Sequence, residues 1–226
     1  MKIGILQTGL SPDELREDLG DYNDMFQILL ADQGFEFQTW RVLEMEFPNS
    51  TDDADGWLIT GSRHGAYEDH SWIPLLEDFI RDSVTVKKPL VGVCFGHQII
   101  AQALGGKVEK YKDGWAVGRQ VYDFGGVEIP LNAWHQDQVT EVPPGATVLA
   151  SNDFCANAAL VYGDRALTYQ PHPEFGPDFI EGLALTRGKG IVPQEQLDAA
   201  IEKLELPISS DTIADQIADF FRAART

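Results

Sequence analysis

The stretch that decides the fold runs from residue 89 to residue 98 and reads Pro89-Leu90-Val91-Gly92-Val93-Cys94-Phe95-Gly96-His97-Gln98. Its first half is an apolar run typical of a buried strand, and the residues after it have the pattern Gly-x-Cys-x-Gly followed by a helix. A side chain on so tight a turn leaves no room for β-carbons two residues before and after it, which accounts for Gly92 and Gly96. The pattern therefore predicts a nucleophile elbow that aims Cys94 outward.

The predicted elbow places Cys94 at a helix N-terminus, where the helix dipole favours the thiolate. The backbone N–H of Phe95 is then positioned to donate a hydrogen bond to an oxyanion. The alternative is a buried cysteine beside a packed turn. Because strand, spacing and helix occur together, we favour the nucleophile.

Strands and helices alternate on both sides of this stretch. Apolar runs predict strands at 2–7, 35–39, 56–60 and 89–93, and helical spacing predicts helices through 22–30, 72–80 and 98–104. Such alternation is typical of parallel βαβ units, and it predicts an α/β fold with a mostly parallel central sheet.

The second half of the chain is rich in short strands and turns. Strands predicted at 107–111, 115–122, 127–129 and 147–150 suggest β-hairpins added to the main sheet. Two more strands are predicted at 159–162 and 165–169, and helices at 194–204 and 212–224. No linker divides the sequence, so we predict a single domain over 1–226, with a helical extension from about 191.

The composition excludes several kinds of partner. The chain has 226 residues, with 17 Lys and Arg against 36 Asp and Glu and a formal net charge of −19. Binding to nucleic acid or to an anionic membrane needs clustered cations, which are not found here. No stretch approaches the length of a membrane span, and the N-terminus does not resemble a signal peptide. We therefore expect a cytoplasmic protein with reduced thiols.

A second stretch, Gln170-Pro171-His172-Pro173-Glu174, directly follows a predicted strand. A residue that precedes proline is pushed towards extended backbone, and in extended chain positions i and i+2 point to the same side. His172 and Glu174 are therefore predicted to point together into one cleft, as a base and the carboxylate that orients it. The alternative is a proline-rich turn with solvated side chains.

Taken together, the two stretches resemble the class I, or triad, glutamine amidotransferases. The shared motifs are Gly92-x-Cys94-x-Gly96-His97-Gln98 and, 78 residues after the cysteine, His172-Pro173-Glu174. The resemblance runs from the first strand to about residue 180. It implies a flavodoxin-like three-layer sandwich and an enzyme that hydrolyses the γ-amide of glutamine through a γ-glutamyl thioester. No metal or other cofactor is expected.

The resemblance also implies a role for each matched position. Cys94 corresponds to the nucleophile, His172 to the general base and acid, and Glu174 to the residue that orients it. The oxyanion donors correspond to the backbone N–H of Phe95 and of the loop after the third strand, through Gly61. The substrate pocket corresponds to Gln98, Ser62, Trp134 and His135.

Two segments depart from the family pattern, and both touch the pocket. Many members carry Gly-Gly-Pro where this chain reads Gly61-Ser62-Arg63, and Trp134 stands where serine usually precedes His135. No synthetase domain is expected within 226 residues. Any ammonia would then pass to a separate synthetase subunit, unless the reaction is plain hydrolysis.

Three functional hypotheses follow. The first is a glutaminase or amidotransferase subunit, and the second is a γ-glutamyl peptidase, which the altered pocket and the missing synthetase domain favour. The third is a non-catalytic glutamine-binding or regulatory subunit, against which the intact Cys94, His172 and Glu174 argue.

Other reactive residues are given structural interpretations. Residues His64, Asp69 and His70 are interpreted as a polar loop rather than a metal site, and Cys155 as a packed or loop thiol. His97 is expected to support the elbow locally. The stretch 187–190, Arg-Gly-Lys-Gly, is interpreted as an exposed turn, with contact to an acidic partner or a substrate carboxylate as the alternative.

Overall fold

The central sheet follows the predicted alternation of strands and helices closely. The structure is a computed structural model and describes residues 1–223. The helix end predicted at Ala224 lies outside them. The strands in this part of the chain are β1 (Lys2–Leu6), β2 (Glu36–Trp40), β3 (Gly56–Ile59), β4 (Leu90–Val93), β5 (Lys107–Lys110), β6 (Ala116–Asp123), β7 (Glu128–His135), β8 (Asp137–Glu141), β9 (Thr147–Ala150), β10 (Ala159–Val161) and β11 (Ala166–Tyr169). The α-helices are α1 (Asp13–Leu19), α2 (Tyr22–Leu29), α3 (Trp72–Thr85), α4 (Phe95–Ala103), α5 (Pro177–Leu185), α6 (Gln194–Ile201) and α7 (Ser210–Ala223).

Seven strands form the main sheet, in the order β2-β1-β3-β4-β11-β10-β9. The first five in this order run parallel, whereas β10 and β9 are added antiparallel at the edge. The predicted α/β class with a mostly parallel central sheet is therefore confirmed. The other four strands do not join the main sheet, because they pair among themselves as two antiparallel ribbons, β5 with β8 and β6 with β7.

Side chains of the central strands alternate between two buried faces. Ile3, Ile5 and Leu58 point towards one apolar cluster, into which α7 inserts Ile213 and Phe221. The intervening residues point towards a second cluster, formed with α3 and α4 and containing Trp57, Ile59, Leu76 and Ile99. The sheet thus lies between two helical layers, as expected for parallel strands buried on both faces.

Three elements within the described residues were not predicted from the sequence. Helix α1 buries no residue, so it carries little of the periodicity that identifies a helix. Strand β8 is largely polar and forms by pairing with β5. Helix α5 did carry a signal, since Pro177 lies in its first turn and Phe179, Ile180 and Leu183 are buried on one side.

The turn between β4 and α4 has the geometry that the glycine spacing predicts. Cys94 precedes α4 with φ 53° and ψ −102°, a backbone conformation that residues with a side chain rarely adopt. A β-carbon at Gly92 would lie 2.5 Å from the backbone of Gly96, and one at Gly96 would overlap the carbonyl of Ile59. The helix begins at Phe95, three residues earlier than predicted, because it starts directly at the turn.

Within residues 1–223, no helix combines the length and the hydrophobicity that a membrane span requires.

Gly96→Ala tests whether the elbow depends on this close approach. The added methyl meets backbone atoms of Ile59, which cannot move aside as a flexible side chain could. We therefore expect a loss of at least about 3 kcal/mol in the free energy of unfolding. Gly176→Ala is the matched control, since its β-carbon meets nothing within 4 Å and its φ is negative. We expect it to lose less than about 1 kcal/mol. If urea unfolding shows the same loss of stability in Gly96→Ala and Gly176→Ala, the close approach at Gly96 does not govern the stability of the protein.

Candidate active site

The structure brings Cys94, His172 and Glu174 into one buried cluster. The Cys94 residue is only 6% exposed and His172 only 3%. His172 Nδ1 lies 2.6 Å from Glu174 Oε1, whose side chain is fully buried. With Nδ1 engaged, Nε2 is the ring nitrogen left for Cys94, whose sulfur is near enough to help raise the pKa of the imidazole. The arrangement is that of a thiol, a base and an orienting carboxylate.

Backbone hydrogen bonds fix the distance between the two halves of this cluster. Strand β11 lies beside β4, and the Cys94 N–H donates to the carbonyl of Tyr169 at 2.8 Å. Beyond β11, the His172 N–H donates to the carbonyl of Asn132 on β7 at 2.8 Å. The imidazole stacks on the ring of Phe175 with centroids 3.8 Å apart, which fixes the plane of the base.

His172 is held in its charged form. Burial lowers the pKa of His172, but the adjacent Glu174 carboxylate and Cys94 sulfur raise it by more, so that the pKa of His172 rises to about 10. The histidine is therefore an imidazolium at neutral pH and has a proton to give.

Gly61 and Phe95 frame the space in front of Cys94. A β-carbon at Gly61 would lie 3.0 Å from His172 Cε1 and 3.8 Å from the Cys94 Cβ, so this loop passes directly over the cluster. The Gly61 carbonyl is occupied by the hydroxyls of Thr8 and Thr60, which hold the loop in position. Phe95 is the first residue of α4, and its N–H is one of those that a helix leaves without a partner at its N-terminus.

The four residues predicted for the substrate pocket all line one cavity together with Cys94. Gln98 is held in place because its amide donates to the Asp137 carbonyl at 2.9 Å. His135 is buried, and burial lowers its pKa to about 3, so its ring is neutral. Ser62 donates its hydroxyl to the carbonyl of Thr8 at 2.8 Å, which gives it a part in holding the loop. The fourth, Trp134, is a wall residue on β7.

The cavity has a volume of about 410 Å³, within the range of small-molecule sites. Sequence reasoning did not single out Tyr22 as one of its lining residues. The interpretation of 187–190 as an exposed turn was wrong for Arg187, which is half-buried and lines the cavity, although Lys189 and Gly190 are exposed. Tyr22 and Arg187 are 165 positions apart, so no local pattern links them.

One group of side chains has the composition of a metal site. The ligand atoms of His64, Glu68 and His70 lie within 4.8 Å of one another, and Asp69 is not among them. Of the three, His64 and Glu68 line the cavity. Glu68 Oε2 lies 3.2 Å from His64 Nδ1 and 2.8 Å from His70 Nε2. These hydrogen bonds account for the cluster without an ion.

The remaining two candidates have structural roles, as predicted. His97 is fully buried, its Nδ1 lies 2.8 Å from the Thr168 hydroxyl on β11, and burial lowers its pKa to about 3. Cys155 is packed in the core, where burial raises the pKa of its thiol to about 12.

Comparison with known proteins places this chain in a family. The family model "Glutamine amidotransferase class-I" matches residues 19–181, more than half of the chain. Over 96% of this chain and 97% of the relative, the sequence is 31% identical to a putative glutamine amidotransferase-like protein of Schizosaccharomyces pombe. It is also 31% identical to gamma-glutamyl peptidase 3 of Arabidopsis thaliana, over 84% of both chains.

The fold matches solved structures as well. The glutamine amidotransferase structure from Methylobacillus flagellatus superposes with a TM-score of 0.77 at 23% identity, over 99% of this chain and 93% of the other. At this identity the structural match supports the fold only. The family is shown by the family model and the sequence relatives. The chain therefore belongs to the class I glutamine amidotransferase family.

Proposed function

We propose that this protein hydrolyses γ-glutamyl amide bonds through a γ-glutamyl thioester on Cys94. The observation that carries the proposal is the buried Cys94–His172–Glu174 cluster at a cavity of about 410 Å³. A thiol at a helix N-terminus, next to an imidazolium that a buried carboxylate holds in place, is the arrangement that activates a cysteine nucleophile.

In the first half of the reaction, the Cys94 sulfur attacks the γ-carbonyl carbon of the substrate. The negative charge that develops on the carbonyl oxygen is stabilised by the backbone N–H groups of Phe95 and Gly61. The tetrahedral intermediate then collapses, and the bond from carbon to nitrogen breaks. His172 gives its proton to the departing nitrogen, so the amine leaves neutral and the γ-glutamyl group stays on sulfur as a thioester.

In the second half, water takes the place of the departed amine. His172, now neutral, accepts a proton from this water as it attacks the thioester carbon. The bond from carbon to sulfur breaks, glutamate leaves and the thiolate–imidazolium pair is restored. Glu174 keeps the imidazole in one tautomer and orientation throughout, and it stabilises the positive charge each time the charge forms.

Two substrates fit this chemistry. Glutamine would release ammonia, to water or to a separate synthetase subunit, as the sequence also suggested. γ-Glutamyl peptides are the second candidate, favoured by an observation of their own: besides the residues assigned to the γ-glutamyl group, the cavity is lined by Trp115, Leu183, Arg187, Ile191 and Val192. A lone ammonia leaving group needs no such space.

The function is tested first on the purified protein, with glutamine, γ-glutamyl dipeptides and glutathione as substrates. We expect hydrolysis of at least one of them, and Cys94→Ala to lower kcat/KM by at least about 10⁴-fold, because the nucleophile is lost. Cys155→Ala is the matched control. It removes the other thiol, which is buried and does not line the cavity, and should keep the activity.

The outcomes separate the hypotheses. Release of ammonia from glutamine identifies a glutaminase or amidotransferase subunit, and preference for the peptides identifies a γ-glutamyl peptidase. Labelling of Cys94 by a glutamine-mimicking affinity label without turnover would point to a site that needs a partner subunit. Absence of both turnover and labelling would exclude the enzyme.

Glu174→Gln tests the electrostatic part of the mechanism. Since the Glu174 carboxylate helps to raise the pKa of His172 to about 10, its loss should lower that pKa. The imidazolium would then lose its proton at a lower pH, and we expect the alkaline limb of the pH–kcat profile to move down by about one unit or more. At neutral pH, kcat should fall about 10²-fold or more.

Glu181→Gln is the control for the lost charge, since Glu181 lies exposed on α5. Its pH–kcat profile should match that of the wild type. A Glu174→Gln variant whose alkaline limb does not move would contradict the assignment of His172 as the proton donor.

A further inference from the structure

We propose that Arg187, with the cavity wall formed by Leu183, Ile191 and Val192, binds the carboxylate of the group that leaves from the γ-carbonyl. The preferred substrates are then γ-glutamyl peptides whose second residue carries a free carboxylate. This inference rests on the proposed hydrolysis and adds the substrate class to it.

The position of His172 shows where the leaving group lies. His172 protonates the departing nitrogen, so whatever is attached to that nitrogen extends from the His172 side of the cluster. On that side Phe175 stacks on the imidazole at 3.8 Å, and the ring of Tyr22 lies 6.0 Å from that of Phe175. Arg187 comes next, with Nη1 3.3 Å from the Tyr22 hydroxyl.

Arg187 is held in place by hydrogen bonds, and it has further N–H groups that can bind a ligand. Its Nη2 donates to the carbonyl of Leu10 at 3.0 Å, and its Nη1 donates to the Tyr22 hydroxyl. A guanidinium has five N–H donors, and these two are the ones that hydrogen-bond within the described part of the chain. Because Tyr22 accepts from Arg187, its own proton is free for a ligand. A planar cation with spare donors, next to a hydroxyl, suits a carboxylate.

The charge of the cavity also differs from that of the protein. The chain as a whole has about twice as many acidic as basic residues, 36 against 17. The cavity wall, in contrast, carries Arg63, Lys110 and Arg187 against Glu68 and Asp137. The wall thus lacks the acidic excess of the chain as a whole, which makes an anionic ligand less unfavourable at this place.

Apolar side chains surround Arg187 in the cavity wall, namely Leu183, Ile191 and Val192. The turn that carries them is packed closely, since a β-carbon at Gly188 would lie 2.8 Å from Leu197 and 3.1 Å from Trp134. A closely packed turn holds Arg187 in one position, which suits it to select among leaving groups.

The test compares γ-glutamyl-alanine, γ-glutamyl-alanine amide and glutamine as substrates of wild-type protein and Arg187→Gln. The amide keeps the scissile bond and the γ-glutamyl group but has no carboxylate on its leaving group. We expect Arg187→Gln to lower kcat/KM for γ-glutamyl-alanine about 10- to 100-fold, and to change it less than about threefold for the amide and for glutamine. Arg187→Lys should restore part of the loss, because it restores the charge without the planar fork.

Lys189→Gln is the matched control, since it removes the same charge from the same turn at an exposed position outside the cavity. It should leave all three substrates unchanged. An equal loss for all three in Arg187→Gln would overturn the proposal, because Arg187 would then act on the γ-glutamyl group or on the fold.

Binding to Cys94→Ala, measured by calorimetry, separates this proposal from the proposed function. Tighter binding of γ-glutamyl-alanine than of its amide, abolished by Arg187→Gln, would uphold the subsite even if wild-type protein hydrolyses neither compound. Hydrolysis without any preference for the free carboxylate would uphold the function and overturn the subsite. If γ-glutamyl-alanine is neither bound nor hydrolysed, the subsite is also overturned.

Discussion

The candidate site depends on the close approach of α4 to the end of β4 and to the neighbouring strand β3. Gly92 and Gly96 permit this approach, since a β-carbon at either would meet backbone atoms. With the two elements so close, the single residue between them takes φ 53°, and it lines the cavity. The energy needed to hold Cys94 in this conformation comes from the packed sheet and helix around it. A thiol at the carboxyl end of a central strand is the result.

Three buried histidines show how neighbouring groups decide charge. Burial is the main cause that lowers the pKa of His97 and His135 to about 3, and the charge on His172 adds to it for His135, so both are neutral. His172 is equally buried, yet its pKa rises to about 10 because the Glu174 carboxylate lies 2.6 Å away and the Cys94 sulfur faces it. The same low-dielectric interior that removes charge from two histidines strengthens the attraction that keeps it on the third. This difference in charge is the reason that His172, and not His97 or His135, is proposed as the proton donor.

One cavity collects side chains from distant parts of the chain. Cys94 and His172 line it together with Tyr22 from the start of α2 and Arg187 from the turn after α5. In the proposed reaction, the Cys94 cluster acts on the γ-glutamyl carbonyl, whereas Arg187 binds the group attached to it. The proposed reaction type and the proposed substrate preference are thus assigned to different side chains of the same cavity.

The sequence by itself determined the features that arise from local spacing. Glycines two residues before and after Cys94 indicate the elbow. His172 and Glu174 are two residues apart in a proline-rich stretch that favours extended backbone, which indicates that their side chains point to the same side. Alternating apolar runs indicate the parallel sheet. The tertiary structure alone decided which distant residues meet: the contact between Tyr22 and Arg187, the ribbon pairing of β5 with β8, and the separation of β6 and β7 from the main sheet. Such contacts depend on how whole elements pack, and packing leaves no periodic pattern along the chain from which they can be inferred.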